Sequence, residues 1–165
     1  MNIFVTYECP REAARCLLNK HVVKMPLESL QMMSTIATWL KLPAPYRPIM
    51  LNHPCTIWAR KSRQNFLWLW EHAQELCKEY TARYFKTHKC ETTMKEYDHV
   101  WKIVLRKLPD IGLTEFAVAI SDHMKCRTVE GFDDMTVVEK YRQYYMHDKR
   151  RIAIWSRNKP DWWCA

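Results

Sequence analysis

Between residues 20 and 40, apolar side chains return at Val23, Leu27, Leu30, Ile36 and Leu40, the spacing that one face of a helix requires. Pro26 interrupts that run and lacks the donor for the preceding turn, so the pattern predicts a kink or restart there. Upstream, residues 2–7 are apolar and β-prone and predict a short extended lead-in. Pro10 then suits the first turn of a short helix carrying Ala13, Ala14, Leu17 and Leu18 and ending near Asn19. Pro43, Pro45 and Pro48 predict a stiff loop leading to Asn52-His53-Pro54, a helix entry. The longest helix is predicted over 56–85, where Ile57, Leu67, Leu76 and Tyr80 lie among Trp58, Trp68 and Trp70. Another is predicted over 92–108 around Tyr97, Val100, Trp101 and Val104. The stretch 109–135 is mixed, with a helical turn at 115–120 and a loop at 131–134. A last helix runs from Thr136 to about Trp155, with Pro160 closing it before Trp162 and Trp163. With no repeat, low-complexity segment or linker, the reading is an all-α, compact single-domain helical bundle over residues 1–165.

Composition narrows this further. Only 2 of 165 residues are Gly, too few for glycine-rich phosphate loops, so P-loop and Rossmann readings fail early. Lys and Arg number 26 against 18 Asp and Glu, a formal charge of +8 that calls for an anionic partner. The 8 Trp and 8 Tyr sharpen that, because bases stack on aromatic rings while Lys and Arg meet phosphates. The 7 Cys stand at 9, 16, 55, 77, 90, 126 and 164, with no C-x-x-C pair and no signal-peptide pattern at the N-terminus. Free thiols in a reducing cytoplasm are the natural reading, and no run is apolar for long enough to span a bilayer. No ligand spacing supports a metal, and no cofactor is expected.

Three clusters could carry chemistry. Lys20, Lys24, Glu28 and Gln31 recur at helical spacing on one face, with His21 two turns before Glu28. Val22, Val23, Met25, Met32 and Met33 around them predict a buried helix, on which such a polar stripe needs partners or a ligand. The second cluster is Asn52, His53, Trp58 and Arg60, where backbone donors at a helix start join His53 and Arg60 as an anion site. The third is the basic, aromatic run of Lys149, Arg150 and Arg151 with Trp155 and Arg157.

The segments Asn19-Lys20-His21-Val22-Val23-Lys24-Met25-Pro26-Leu27-Glu28-Ser29 and Asn52-His53-Pro54-Cys55-Thr56-Ile57-Trp58-Ala59-Arg60 resemble small proteins of tailed phages and bacteria. Tyr141-Arg142-Gln143-Tyr144-Tyr145 and Pro160-Asp161-Trp162-Trp163 extend that resemblance over nearly the whole chain. More remotely, the His-x6-Glu spacing before a long helix resembles the pyrimidine-dimer DNA glycosylases (endonuclease V-like). That resemblance implies a compact helical fold and an N-terminal threonine amine that attacks the sugar carbon to form a Schiff base. It matches Glu28 to the glutamate that stabilises the opened sugar, and His21 to the helix histidine. Residue 2 is Asn, too large for ordinary Met removal, so Met1 is expected to stay and to displace the amine by up to about 3.8 Å. Lys20 or Lys24 is an alternative amine, although a Lys beside Glu28 suits phosphate binding better than attack.

The reading reached from sequence is therefore a phage-type nucleotide-binding protein that holds a phosphorylated nucleotide-like small molecule without turnover. An ADP-ribose-type or cyclic nucleotide immune signal, sequestered in the host cytoplasm, is one such ligand. Lys20, His21, Lys24, Glu28, Gln31, Asn52, His53, Trp58, Arg60, Arg150 and Arg151 are the expected ligand contacts. The alternative is a DNA glycosylase/lyase acting on damaged or modified pyrimidines, with Glu28 catalytic and DNA as partner. No membrane partner is expected, and the sequence leaves open whether the pocket is completed by a homo-oligomer.

Overall fold

A computed structural model describes residues 1–163; among these, every regular element is helical. Seven α-helices follow in order: α1 (Pro10–Arg15), α2 (Asn19–Trp39), α3 (Pro54–Lys61), α4 (Arg63–Tyr84), α5 (Lys89–Glu96), α6 (Asp98–Lys107) and α7 (Val137–Asp148). Short 3-10 turns lie at Lys125–Thr128, Phe132–Asp134 and Arg150–Ile152. α4 is the central element and packs against α1, α2, α3, α5 and α6. Leu17 and Leu18 from the α1–α2 turn and Val22, Met25, Leu30, Met33 and Ile36 from α2 meet Phe66, Leu69, Leu76 and Trp101 in a core from which water is excluded.

Several elements differ from their predicted form. α2 runs unbroken through Pro26, which is itself buried. The roughly 3 kcal/mol that a mid-helix proline costs is offset by the apolar face that α2 buries on both sides of it. The helix predicted over 56–85 is two helices. Ser62 adopts extended backbone (φ −146, ψ 160), and its hydroxyl accepts from Asn65 N–H to start α4 afresh. The helix predicted over 92–108 likewise divides at Tyr97 into α5 and α6. α7 stops at Asp148, well short of Trp155. Residues 115–120 are not helical, because the Tyr141 hydroxyl bonds the backbone there, accepting from Ala119 N–H and donating to Ala117 O.

The segment after α7 returns to the start of α2. Asn19 N–H donates to Ile154 O, and Trp155 Nε1 donates to Cys16 O. Beneath that junction lies a buried ion pair. Arg83 Nε donates to Glu79 Oε1 at 2.8 Å while the rest of the guanidinium donates to Arg15 O, Leu17 O and Asn19 Oδ1. One side chain thus ties α4 to the α1–α2 turn and to the residue that opens α2. The cysteines among the described residues, Cys9, Cys16, Cys55, Cys77, Cys90 and Cys126, are free thiols; Cys164 lies outside the described residues.

Candidate functional site: an α-amine and a carboxylate in one cavity

The N-terminal segment is not a strand. Asn2 Oδ1 accepts from Ile3 N–H at 2.8 Å and from Phe4 N–H at 3.3 Å, an Asx-type turn that reverses the chain. Phe4 follows with φ +45, in the left-handed region, and is buried. Asn2 Nδ2 donates to Ala119 O at 2.9 Å, fastening the turn to the segment before α7. The Met1 side chain is buried, and its sulfur accepts a weak hydrogen bond from Thr56 Oγ1 at 3.7 Å. These contacts hold the first two backbone nitrogens against α2. Asn2 N–H donates to Glu28 Oε2 at 3.0 Å, and the Met1 α-amine lies 3.8 Å from the same oxygen.

Glu28 is only 12% exposed, and its other oxygen pairs with Lys24 Nζ at 3.0 Å. Around this centre is a cavity of about 230 Å³ lined by Met1, Asn2, Phe4, His21, Lys24, Met25, Glu28, Ala119, Tyr144 and Lys149. Lys149 Nζ lies 4.4 Å from the Tyr144 ring centre. Its position is fixed by Asp148, which accepts from Lys125 N–H and Cys126 N–H. His21 stacks on Phe4 (4.2 Å between centres, 14° between planes), and its Nδ1 is 2.5 Å from the Tyr145 hydroxyl. Burial, and then the charges of Lys149 and Lys24, push its pKa down to about 3, so the ring is neutral at physiological pH. The wall therefore carries Lys24, Lys149 and the α-amine against a single carboxylate, a balance suited to an anionic ligand. A larger cavity of about 420 Å³ lies between α4, α5 and α6. Its lysines and carboxylates are matched, Lys95 with Glu91, Lys78 with Glu75 and Asp98 with Lys102, so its wall has no excess of positive charge.

Of the residues expected to touch a ligand, His21, Lys24 and Glu28 line this cavity. His53 stands close by. Its Nδ1 accepts from Cys55 N–H to cap α3, and its pKa is lowered by burial and then by the N-terminal charge, with Glu28 opposing. Lys20 is exposed one turn before Lys24, Gln31 is half-buried, and Asn52 is exposed; none of the three lines the cavity. Trp58 is no stacking platform. Its ring is buried against Trp68 and Phe116, with Nε1 donating to Thr114 O at 3.4 Å. The Arg60 guanidinium covers the Trp39 ring at 5.1 Å, away from the cavity. Arg150 and Arg151 point outward from a 3-10 turn. The polar stripe on α2 is only partly buried: Lys24 is 69% exposed with Val23 and Leu27 exposed beside it, whereas His21 is buried and Glu28 nearly so. Sequence reasoning left Met1, Asn2, Phe4, Tyr144 and Lys149 out of the ligand contacts, although Lys149 had been visible in the basic run.

The fold and the cavity define a small all-helical protein with an α-amine and a glutamate in a single polar site. The profile of the family described as pyrimidine dimer DNA glycosylase matches residues 1–92, more than half of the chain, and the protein belongs to that family. The matched part contains Met1, Asn2, His21, Lys24 and Glu28, whereas Ala119, Tyr144 and Lys149 lie beyond it. No curated protein and no solved structure matches the chain.

Proposed function

We propose that the protein is a DNA glycosylase with an associated lyase step, acting on damaged or modified pyrimidine nucleotides, and that the Met1 α-amine is its nucleophile. The observation that carries this reading is the 3.8 Å separation of that amine from Glu28 within one cavity. Retaining Met1 does not remove the amine from the glutamate, because the Asx turn at Asn2 brings both leading nitrogens to the same carboxylate. In the reaction, Glu28 accepts a proton from the α-ammonium and the freed amine attacks C1′ of the deoxyribose. The C1′–N1 bond breaks, and the base leaves with its electron pair and with the proton that the newly bonded Met1 nitrogen sheds. Glu28 then returns its proton to O4′ as the C1′–O4′ bond opens, giving the Schiff base between Met1 and C1′. Loss of a C2′ proton expels the 3′ phosphate, and water releases the sugar from the amine. Lys24 and Lys149 hold phosphates on either side, and neutral His21 supports Phe4 without adding charge. The size of the cavity agrees. At about 230 Å³ it falls below the roughly 300–1,000 Å³ of pockets that enclose drug-sized ligands, and suits one sugar unit.

The test is borohydride trapping on duplex oligonucleotides carrying an abasic site or a pyrimidine dimer. Wild type yields an adduct whose peptide maps to Met1, and the intact mass retains Met1. A Gly-Ser extension ahead of Met1 abolishes the adduct, and Glu28→Gln slows its formation by roughly 10²–10⁴-fold. No wild-type adduct, or one mapping to Lys24, overturns the proposal. One observation favours the second reading, a nucleotide holder without turnover: of the two leading backbone nitrogens the one nearer Glu28 is that of Asn2, a peptide nitrogen, which cannot attack. Recovery of an unchanged nucleotide from a tight complex, with no adduct on any DNA, selects that reading.

A further inference from the structure

The loop between α2 and α3 carries three consecutive apolar residues, Ile49, Met50 and Leu51, all exposed. Met50 is 56% exposed and has φ +49, a left-handed backbone unfavourable for any residue with a Cβ. The loop holds this shape because it is pinned on both sides. The Thr35 hydroxyl of α2 donates to Gln31 O at 2.8 Å and accepts from Ile49 N–H at 3.0 Å. On the other side, His53 N–H donates to Met50 O at 2.9 Å. His53 is the residue whose titration feels both the N-terminal charge and Glu28, and Thr56, three residues on, touches Met1. The apolar tip is therefore rigid, strained and adjacent to the α-amine site. Arg47 is exposed two residues before the tip and Lys61 at the end of α3, while Lys24 and Lys149 stand on the wall of the neighbouring cavity.

We propose that Ile49-Met50-Leu51 is a wedge that enters the base stack of duplex DNA beside the site. A pinned apolar tip with the Arg47 cation two residues before it, next to a cavity that carries Lys24 and Lys149, fits that occupant. The cations take the phosphates on each side while the side chains replace stacking, and the kinked step delivers a nucleotide to the cavity. The proposal rests on the reading of the site as one that acts on DNA, and names the device by which it opens the helix.

The experiment uses duplexes with 2-aminopurine next to the lesion, whose fluorescence rises on unstacking, and compares wild type with Met50→Gly/Leu51→Ala. Glycine accepts the positive φ, so the loop keeps its shape while losing the wedge. Expected are a fluorescence rise with wild type, its loss in the variant, and roughly tenfold weaker duplex binding with single-strand binding unchanged. No rise with wild type, an equal rise with the variant, or equal weakening on duplex and single strand overturns the wedge. Fluorescence needs no turnover, so the two proposals fail separately. A rise without a borohydride adduct leaves the wedge and removes the nucleophile; an adduct without a rise does the reverse.

Discussion

Arg83→Met is expected to be among the most damaging single substitutions in this chain, and the structure sets its size. The Arg83 side chain is 0% exposed and Glu79 is 4% exposed. Removing the guanidinium leaves a buried carboxylate without its closest cation, and takes a donor from Arg15 O, Leu17 O and Asn19 Oδ1 at once. Breaking a buried pair from one side costs about 3–5 kcal/mol. Arg157 Nε at 3.5 Å and the Asn158 amide still face Glu79, which holds the carboxylate part of the loss toward the lower figure. The orphaned carbonyls push the other way, at about 1–3 kcal/mol for each that water cannot reach. A net loss of about 4 kcal/mol corresponds to a fall in Tm of roughly 8–16 °C for a chain of this size. Urea titration followed by tryptophan fluorescence should show the midpoint falling with the slope unchanged. Arg83→Lys should recover only a minor part, because an ammonium cannot span four acceptors on three segments. A loss below about 1 kcal/mol for Arg83→Met would refute the reasoning, since it would mean that the pair is hydrated or replaceable.

Acid should destabilise the fold through His21 and His72, both buried and both pushed down to about 3. A depressed histidine gives stability that is complete above its unfolded value near 6.5 and is lost as pH falls below it. Each histidine then contributes up to about 1.4 kcal/mol per pH unit between pH 6.5 and 3. His72→Phe should roughly halve the fall in stability between pH 6.5 and 5, because its ring stacks on Trp68 and neither nitrogen has a protein partner among the described residues; an unchanged pH profile would count against this. Asn2→Asp keeps the acceptor of the Asx turn but loses the donor to Ala119 O and sets a second carboxylate beside Glu28. Its expected cost is about 1–3 kcal/mol, measured by thermal unfolding, with slower borohydride trapping. Lys24→Ala and Lys149→Ala should each lower the slope of log affinity for DNA against log salt by about 0.9, and a slope that stays put would remove them from the phosphate contacts.

What the sequence made legible follows from the range of the forces involved. α2 could be read because its apolar spacing is local and strong, and His21, Lys24 and Glu28 came with it. The break at Ser62 could not, because the apolar pattern runs through it. What turns the chain there is Asn65, whose amide donates to Trp58 O and to Thr114 Oγ1 on a distant segment. Residues 115–120 were misread for the same reason, as a hydroxyl from α7 overrides a local helical preference. The Met1–Phe4 turn depends on a side chain bonding its own backbone at a positive φ, which hydrophobic patterning does not register. Trp58 shows the opposite error. An aromatic beside His and Arg looked like a base platform, yet Trp68 and Phe116 had already claimed both its surroundings.

The cavity is built from two stretches of chain with different obligations. The α-amine and Glu28 sit within the first 28 residues, while Ala119, Tyr144 and Lys149, which line the same cavity, come from beyond the family match. Under the proposed reaction, substitutions at Ala119, Tyr144 or Lys149 should alter which nucleotide is admitted and leave the amine and the carboxylate in place.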